Sequence, residues 1–242
     1  MNILGVIPAR GGSKGVPNKN IIELCGKPII SYTIETALES KLLNKLVIST
    51  DSKKISDVVS KSYDVQIIDR PAKFATDDSP IEEALLHAVK YLIKSSNYYA
   101  DIVVWMQPNV PIRDNGLIDK AISNLMNSDA DSCISCYEVT QRPELMKIIN
   151  SDGYLEPCEK DVGGIRRQEF PKRYMADGSV VALKTENLLK YKGIRKAHIY
   201  MGEKVIPIIQ NSMIYSLEID DYDDLYLVES CMARQKLGKA YN

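Results

Sequence analysis

The sequence predicts an α/β fold in which helices cover both faces of a mostly parallel β-sheet. Short apolar runs alternate with helical patterns through the first half of the 242 residues. Helices of this length between consecutive strands are typical of βαβ units. A glycine-rich basic turn directly follows the first strand, at the sheet edge where ligands bind in such folds. The length suits a single domain over residues 1–242.

Stretches of two kinds make up this alternation. The strand candidates are near-continuous apolar runs, as expected for strands that helices cover on both faces. The helix candidates carry apolar residues at helical spacing, such as Ile29, Ile30 and Ile34. The predicted strands are 3–8, 46–49, 65–68, 102–106 and 132–137, and the predicted helices are 28–40, 53–61, 79–93 and 116–126.

The regular alternation fails between residues 141 and 176. This stretch is rich in proline, glycine and charge, and it is too long to be a structureless connection inside a compact domain. We therefore expect an excursion from the core that serves a purpose. After it, residues 179–184 and 205–209 are predicted strands, and residues 221–236 are a predicted helix.

Composition and charge narrow the function classes. The net charge of −1 argues against broad binding of nucleic acid, which needs a basic surplus. No apolar run approaches the roughly 20 residues that span a bilayer, so no membrane partner is expected. An odd number of cysteines and a start without a signal-peptide pattern predict a cytoplasmic protein with reduced thiols.

The cysteines and histidines favour no catalytic role of their own. Cys133 and Cys136 form a C-x-x-C pair on a predicted strand, where residues three apart face opposite sides. Without a second pair to complete a zinc site, buried structural thiols are the better interpretation. His87 and His198 pair with no nucleophile in the sequence, so a hydrolase of the Ser/His or Cys/His type is not favoured.

The segment 7–20, with the sequence IPARGGSKGVPNKN, is the most informative part of the chain. A glycine-rich turn after a buried strand can direct main-chain N–H groups at phosphate oxygens. Arg10, Lys14 and Lys19 add the positive charge that a triphosphate or a departing pyrophosphate needs. The spacing matches neither the P-loop nor the dinucleotide fingerprint. A flexible basic surface loop is the alternative interpretation.

Four stretches in this order resemble the sugar-acid cytidylyltransferases, in their acylneuraminate (sialic acid type) branch. They are segment 7–20, the WMQP…R of 105–113, the RQEFP…DG of 167–178 and the SLEID of 216–220. The resemblance covers nearly the whole chain. It implies a three-layer αβα, Rossmann-like nucleotidyltransferase fold in which the excursion over 141–176 forms a homodimer and contributes to a sugar site.

The resemblance also implies an activity. Enzymes of this family join CTP to a 2-keto-3-deoxy sugar acid, here a sialic acid-like nonulosonate, and release pyrophosphate and a CMP-sugar for surface glycans. CTP, the sugar acid and Mg²⁺ are therefore the expected partners and cofactor. Two alternatives stay open: a KDO-type or other small-substrate nucleotidyltransferase, and a catalytically weak protein that binds a nucleotide without turning it over.

Catalysis in such an enzyme depends on positioning and on charge neutralisation at the phosphates. The resemblance assigns this charge neutralisation to Arg10 and Lys19. It also implies a nucleotide site formed by the glycine-rich turn and by the segment after the third predicted strand. Asp78 and Ser79 have a helix N-cap as an equally good interpretation. The expected nucleotide-binding residues are Ala9, Gly11, Gly12, Ser13, Asn20, Arg70 and Asp78.

Glu218 and Asp220 are the expected metal ligands, and Asp220 is also an expected catalytic residue. Residues two apart on a strand share a face, so both carboxylates can converge on one cation. Mg²⁺ binds few carboxylates together with phosphate oxygens, which suits a CTP complex. The family usually has aspartate at both positions, so Glu218 is a departure. The following acidic residues, Asp221, Asp223 and Asp224, are expected to start the last helix.

The sugar acid is expected to contact residues from three places in the chain. Arg167 can bind the substrate carboxylate in a bidentate manner. Asp177 stands where sialic acid type enzymes have asparagine, which predicts different sugar substituents. Arg113 is expected either to contact the substrate or to anchor its loop. The full expected set is Gln107, Lys147, Arg167, Gln168, Tyr174 and Asp177.

Overall fold

A computed structural model describes residues 1–158, 166, 170–191, 193 and 199–236 of the chain. The strands in chain order are β1 (Ile3–Pro8), β2 (Glu23–Leu24), β3 (Lys27–Pro28), β4 (Lys45–Thr50), β5 (Gln66–Asp69), β6 (Ile102–Trp105), β7 (Ser132–Glu138), β8 (Lys147–Ile149), β9 (Leu155–Pro157), β10 (Tyr174–Lys184) and β11 (Val205–Gln210). The helices are α1 (Ile29–Leu38), α2 (Lys53–Ser62), α3 (Ile81–Ser96), α4 (Leu117–Met126), α5 (Thr185–Leu189) and α6 (Tyr222–Lys236).

The centre is a seven-stranded sheet in the order β11-β7-β10-β6-β1-β4-β5. Strand β1 pairs in parallel with β4 and β6, β4 pairs in parallel with β5, and β7 with β11. Strand β10 runs antiparallel between β6 and β7, with an irregularity between Ala176 and Val181. The predicted mostly parallel α/β sheet is confirmed.

Strand β1 shows why the fold has three layers. All six of its residues are buried, and alternate side chains point to opposite faces of the sheet. Ile3 and Ile7 pack in a core with residues of α1, α2 and α4, whereas Leu4 and Val6 pack in a second core with α3 and α5. A run that is apolar at every position therefore requires helices on both faces.

A third apolar cluster positions the functional cleft. Ile219 and the buried face of α6 pack against Leu24 of β2, Ile29 and Ile112. The backbone N–H of Ile219 donates to the carbonyl of Asn109 at 2.9 Å. This packing holds the segment before α6 beside the loop that follows β6.

Two local interpretations differ from the structure. Residues 217–219 belong to no strand in the described part of the chain, so Glu218 and Asp220 do not share a face of a strand. Neither Asp78 nor Ser79 caps α3, because Pro80 occupies the N-cap and Ser79 accepts from the N–H of Thr76 within its own turn. In 141–176, residues 147–149 and 155–157 form a small hairpin, and the bounds of the excursion and of a single domain stay predictions.

No helix in the described ranges is long and apolar enough to cross a membrane.

Candidate active site

A cleft with a volume of about 890 Å³ opens beyond the carboxyl ends of β1 and β6. Five parts of the chain line it: the loop after β1, the segment from β5 into α3, the loop after β6, Tyr200 before β11, and residues shortly before α6. Among the lining residues are Arg10, Ser13, Lys14, Lys19, Asn20, Arg70, Asp77, Asp78, Gln107, Asn109, Glu218 and Asp220. Residues from both ends of the sequence thus meet at the edge where ligands of such sheets bind.

The glycines of the first loop allow close packing rather than a set of free amides. A Cβ at Gly15 would lie 2.2 Å from the carbonyl oxygen of Asp220, so only glycine lets the loop pass over that segment. The Ala9 N–H donates to the Ser49 carbonyl, and the Gly11 N–H donates to the Asp51 carboxylate. The Ser13 N–H donates to the Gly11 carbonyl. These three amides are therefore already bonded within the protein, and nucleotide binding by Ala9 and Gly11 stays a prediction.

Side-chain cations dominate the loop instead, and each has a carboxylate partner. Lys19 Nζ lies 2.6 Å from Asp220 Oδ1, a contact between residues 201 positions apart. Arg10 Nη1 lies 2.7 Å from Asp77 Oδ1, and Lys14 Nζ lies 2.6 Å from Asp77 Oδ2. The hydrogen bond from Lys14, with that from Arg10, lowers the pKa of Asp77.

Asn20 and Arg70 are buried polar residues whose groups border the cleft. The Asn20 amide donates to the Arg10 carbonyl at 3.0 Å, while its oxygen has no partner in the described residues. Arg70 Nη2 lies 3.8 Å from Asp51 Oδ1. The Nε and Nη2 atoms of Arg70 are buried without a hydrogen bond in the described part of the chain. Burial lowers the pKa of Arg70. A bound ligand could satisfy these groups.

Glu218 and Asp220 converge although their segment is not a strand. The Asn109 amide donates to Glu218 Oε1 at 3.1 Å and to Asp220 Oδ1 at 3.4 Å. Burial and, to a smaller degree, the Asp220 charge raise the pKa of Glu218, and the Asn109 hydrogen bond opposes the shift. The Gln107 side-chain amide also faces Glu218. With its nitrogen turned toward the carboxylate, this amide donates to Glu218 Oε1 at 2.9 Å.

The described residues contain no group of three or more His, Cys, Asp and Glu side chains that could hold a metal ion. A cation at this place would therefore have Glu218 and Asp220 as its only carboxylate ligands in the described ranges. Mg²⁺ accepts such a set when phosphate oxygens and water complete its shell. The donor chemistry present fits that ion.

The expected sugar-site residues do not all meet. Gln107 lines the cleft, and Gly178 lets it pack there, because a Cβ at Gly178 would lie 2.6 Å from the Gln107 amide carbon. Lys147 and Tyr174 are exposed and outside the cleft lining. Arg167 and Gln168 lie outside the described residues.

Asp177 is buried within β10 and does not line the cleft. Its Oδ1 accepts from the Ser135 hydroxyl and the Ser179 N–H, and its Oδ2 accepts from the Gln210 amide and the Ser216 hydroxyl. Four donors occupy both oxygens, which indicates a structural role, and a sugar contact by Asp177 stays a prediction. Asp177 ties β7, β10 and β11 together at the irregularity of β10.

Arg113 anchors the loop that follows β6, which was one of its two expected roles. Its fully buried guanidinium donates to the Ser179 carbonyl at 2.9 Å, to the Thr33 hydroxyl at 2.8 Å and to the carbonyls of Gln107 and Val110. These bonds hold the loop that carries Gln107 and Asn109 in the cleft.

Sequence reasoning missed Asp77 and the bridging role of Asn109. The run Thr76–Asp77–Asp78–Ser79 contained two acidic residues, and only the second was selected. Asn109 lies two residues after Gln107 but was not among the expected site residues. Neither role has a local signal, because both depend on partners at least 60 residues away.

The fold has solved relatives. The chain resembles a CMP:2-keto-3-deoxy-manno-octonic acid synthetase solved in complex with CTP, with a TM-score of 0.70 and 17% identity, over 97% of this chain and all of that one. At this identity the likeness concerns the fold, which is that of a nucleotidyltransferase.

Residues 4–236 match the family described as Cytidylyltransferase, and the chain belongs to that family. It is 32% identical to a CMP-N,N'-diacetyllegionaminic acid synthase of Legionella pneumophila over 96% of this chain and 97% of that protein. It is 27% identical to an N-acylneuraminate cytidylyltransferase of Streptococcus agalactiae, of which it spans about half, 52%. The predicted family and its class of activity, CTP-dependent formation of a CMP-sugar, are confirmed.

Proposed function

We propose that the chain activates a nonulosonic acid with CTP, giving a CMP-sugar and pyrophosphate. The 2.6 Å contact between Lys19 and Asp220 carries the proposal, because it joins the basic loop to the acidic segment in one cleft. Transfer of a nucleotidyl group needs a cation for the phosphates and carboxylates for a metal at the same place. The full-length match to a legionaminic acid synthase supports this class of sugar acid.

The nucleotide would lie along the side of the cleft formed by the first loop and the segment before α3. Arg10 and Lys19 would bind the α- and β-phosphates through charge-assisted hydrogen bonds. The buried donors of Arg70 and the buried acceptor of Asn20 would bind polar groups of the nucleotide that match them. Gly12, Ser13 and Asp78 remain proposed contacts in the same region.

Glu218 and Asp220 would hold Mg²⁺, and Asn109 sets their spacing. Such an ion, when bound, acts as a Lewis acid on a phosphate oxygen. The chain's own contribution is orientation: Asp220 aligns the Lys19 ammonium with the cleft, where charge develops on the phosphates. Gln107 would contact the sugar acid from the open end of the cleft.

The rest of the sugar site is proposed to need a second copy of the chain. The hairpin of β8 and β9 exposes large apolar side chains, with Ile149, Tyr154 and Leu155 each more than 70% accessible. Contiguous exposed apolar surface of this kind is typical of an interface. A homodimer through the excursion over 141–176 would cover it and would bring Lys147, Arg167, Gln168 and Tyr174 toward a sugar acid.

Within the cell we propose the cytoplasm as the location. All five cysteines are free thiols. Reduced thiols persist where glutathione and thioredoxin keep the compartment reducing.

Pyrophosphate release tests the function directly. The protein is incubated with CTP, Mg²⁺ and one sugar acid at a time, of the legionaminate, neuraminate, pseudaminate and KDO types. We expect release with a nonulosonic acid and none with Asp220→Ala. Preference for the KDO type would favour that alternative. No release with any acid despite tight CTP binding would indicate the catalytically weak protein.

A further inference from the structure

We infer that Asp77 is a tethered competitor of the polyphosphate: its carboxylate holds Arg10 and Lys14 in the unliganded cleft and releases them when a polyphosphate binds. The inference rests on the proposed function and deepens it. It makes Asp77 a residue that sets the affinity for the triphosphate of the substrate and for the pyrophosphate product.

The geometry is that of one anion bridging two cations. Asp77 uses one carboxylate oxygen for Arg10, at 2.7 Å, and the other for Lys14, at 2.6 Å. A phosphate group binds cations through separate oxygens in the same way. The carboxylate therefore takes the role, toward these two side chains, that a phosphate would take in a complex with CTP.

The tether is a compact turn between β5 and α3. The hydroxyl of Ser79 accepts from the N–H of Thr76 at 3.1 Å and donates to the carbonyl of Lys73 at 3.1 Å. These bonds fix the turn on either side of Asp77. Because the turn also lines the cleft, the ion pairs join its two walls across the place proposed for phosphate.

The contact is suited to release. Asp77 and Arg10 are partly exposed and Lys14 is largely exposed, and exposed ion pairs are individually weak. A polyphosphate brings several negative charges at once and repels the carboxylate. It can therefore displace Asp77 from both cations.

Lys19 differs from the other two cations in its partner. Its carboxylate is Asp220, which the proposed metal would keep in place after the nucleotide binds. Asp77 has no such second role in the proposal. Its return to Arg10 and Lys14 would assist the departure of pyrophosphate.

Isothermal titration with inorganic pyrophosphate tests the inference on the full-length protein without a sugar acid. Asp77→Asn keeps the size of the side chain and removes its charge. We expect this variant to bind pyrophosphate about tenfold more tightly, the scale of two weak ion pairs. Asp57→Asn, which removes an exposed carboxylate 3.0 Å from Lys53 on α2, is the matched control and should not change the affinity.

Turnover offers a second readout that a purely structural role would not give. The KM for CTP should fall in Asp77→Asn, inhibition by pyrophosphate should become stronger, and the KM for the sugar acid should stay constant. A merely loosened turn would instead weaken binding of CTP and pyrophosphate together.

Unchanged or weaker pyrophosphate binding by Asp77→Asn, with a melting temperature like that of the wild type, would overturn the inference. Arg10→Ala separates this failure from that of the proposed function. If pyrophosphate binds equally well to Arg10→Ala, the phosphate site itself is wrong and the inference falls with it. If Arg10→Ala binds more weakly and Asp77→Asn is unchanged, only the competitor role is wrong.

Discussion

The nucleotide side of the cleft and the excursion over 141–176 differ in how much of a site one chain supplies. Lys19 and Asp220 meet inside a single chain, on loops that buried strands and the α6 cluster hold in place. Lys147 and Leu155 instead lie on an exposed hairpin away from the cleft. Under the proposed function, phosphate binding would therefore be built on the core of one chain, whereas the sugar site would depend on a surface that a second copy completes.

The largest expected effect concerns the nucleotide side of the cleft. Lys19→Ala should lower kcat about 1000-fold, the scale of losing one group that stabilises transition-state charge. Steady-state measurement of pyrophosphate release gives the value. Lys53→Ala, at an exposed ion pair on α2, is the control and should keep full activity. A loss below about tenfold in Lys19→Ala would contradict a catalytic role.

The next effect is on the excursion. Leu155→Glu should weaken a dimer roughly 100-fold, because the interface would bury an unpaired charge. Light scattering measures the mass, and titration should show unchanged CTP binding together with a higher KM for the sugar acid. Tyr99→Glu changes an exposed apolar residue outside the excursion and serves as the control. Wild-type monomers at all concentrations would refute the second-copy model.

Asp177→Asn distinguishes a structural residue from a sugar contact. The amide nitrogen would face hydrogen-bond donors in a buried network, at a cost of about 2 kcal/mol. For a chain of this size the melting temperature should fall by roughly 4–8 °C. Scanning calorimetry measures the fall, and the order of preference among sugar acids should not change. An altered preference at constant stability would restore the sugar contact.

Glu218→Gln should give the smallest effect, and it should stabilise the folded protein rather than destabilise it. Burial raises the pKa of Glu218, so the folded protein binds the proton more tightly than the unfolded chain does. Without metal, the wild-type protein should therefore become more stable as the pH falls through this raised pKa. At a pH above this pKa the buried carboxylate is charged, and the charge destabilises the folded state. Removing the charge should therefore raise the melting temperature at neutral pH.

The measurement is a melting curve at neutral and mildly acidic pH in the presence of a chelator. The difference between Glu218→Gln and wild type should shrink at the lower pH, where the wild-type carboxyl is protonated. A variant that melts below the wild type at neutral pH would contradict this explanation. The same variant should lose activity, because it removes a proposed metal ligand.

Local patterns predicted the elements that depend on local physics. Strand β1 has the predicted bounds, since its unbroken apolar run can be buried only between two layers of helices. The spacing of Glu218 and Asp220 suits a shared strand face, but residues 217–219 form no strand in the described part of the chain, because Ile219 donates a backbone hydrogen bond to Asn109 and packs with α6. Alternation along a short segment cannot distinguish these outcomes.

The sequence by itself determined the sheet, the basic loop, the acidic pair and the family, because hydrophobic periodicity and short motifs act over a few residues. The tertiary structure decided which groups face each other. It buried Asp177 under four donors and used the Ala9 and Gly11 amides inside the loop. It also joined Asp77 to Arg10. These pairings join residues far apart in the chain, and only the packing of the layers brings them within a hydrogen bond.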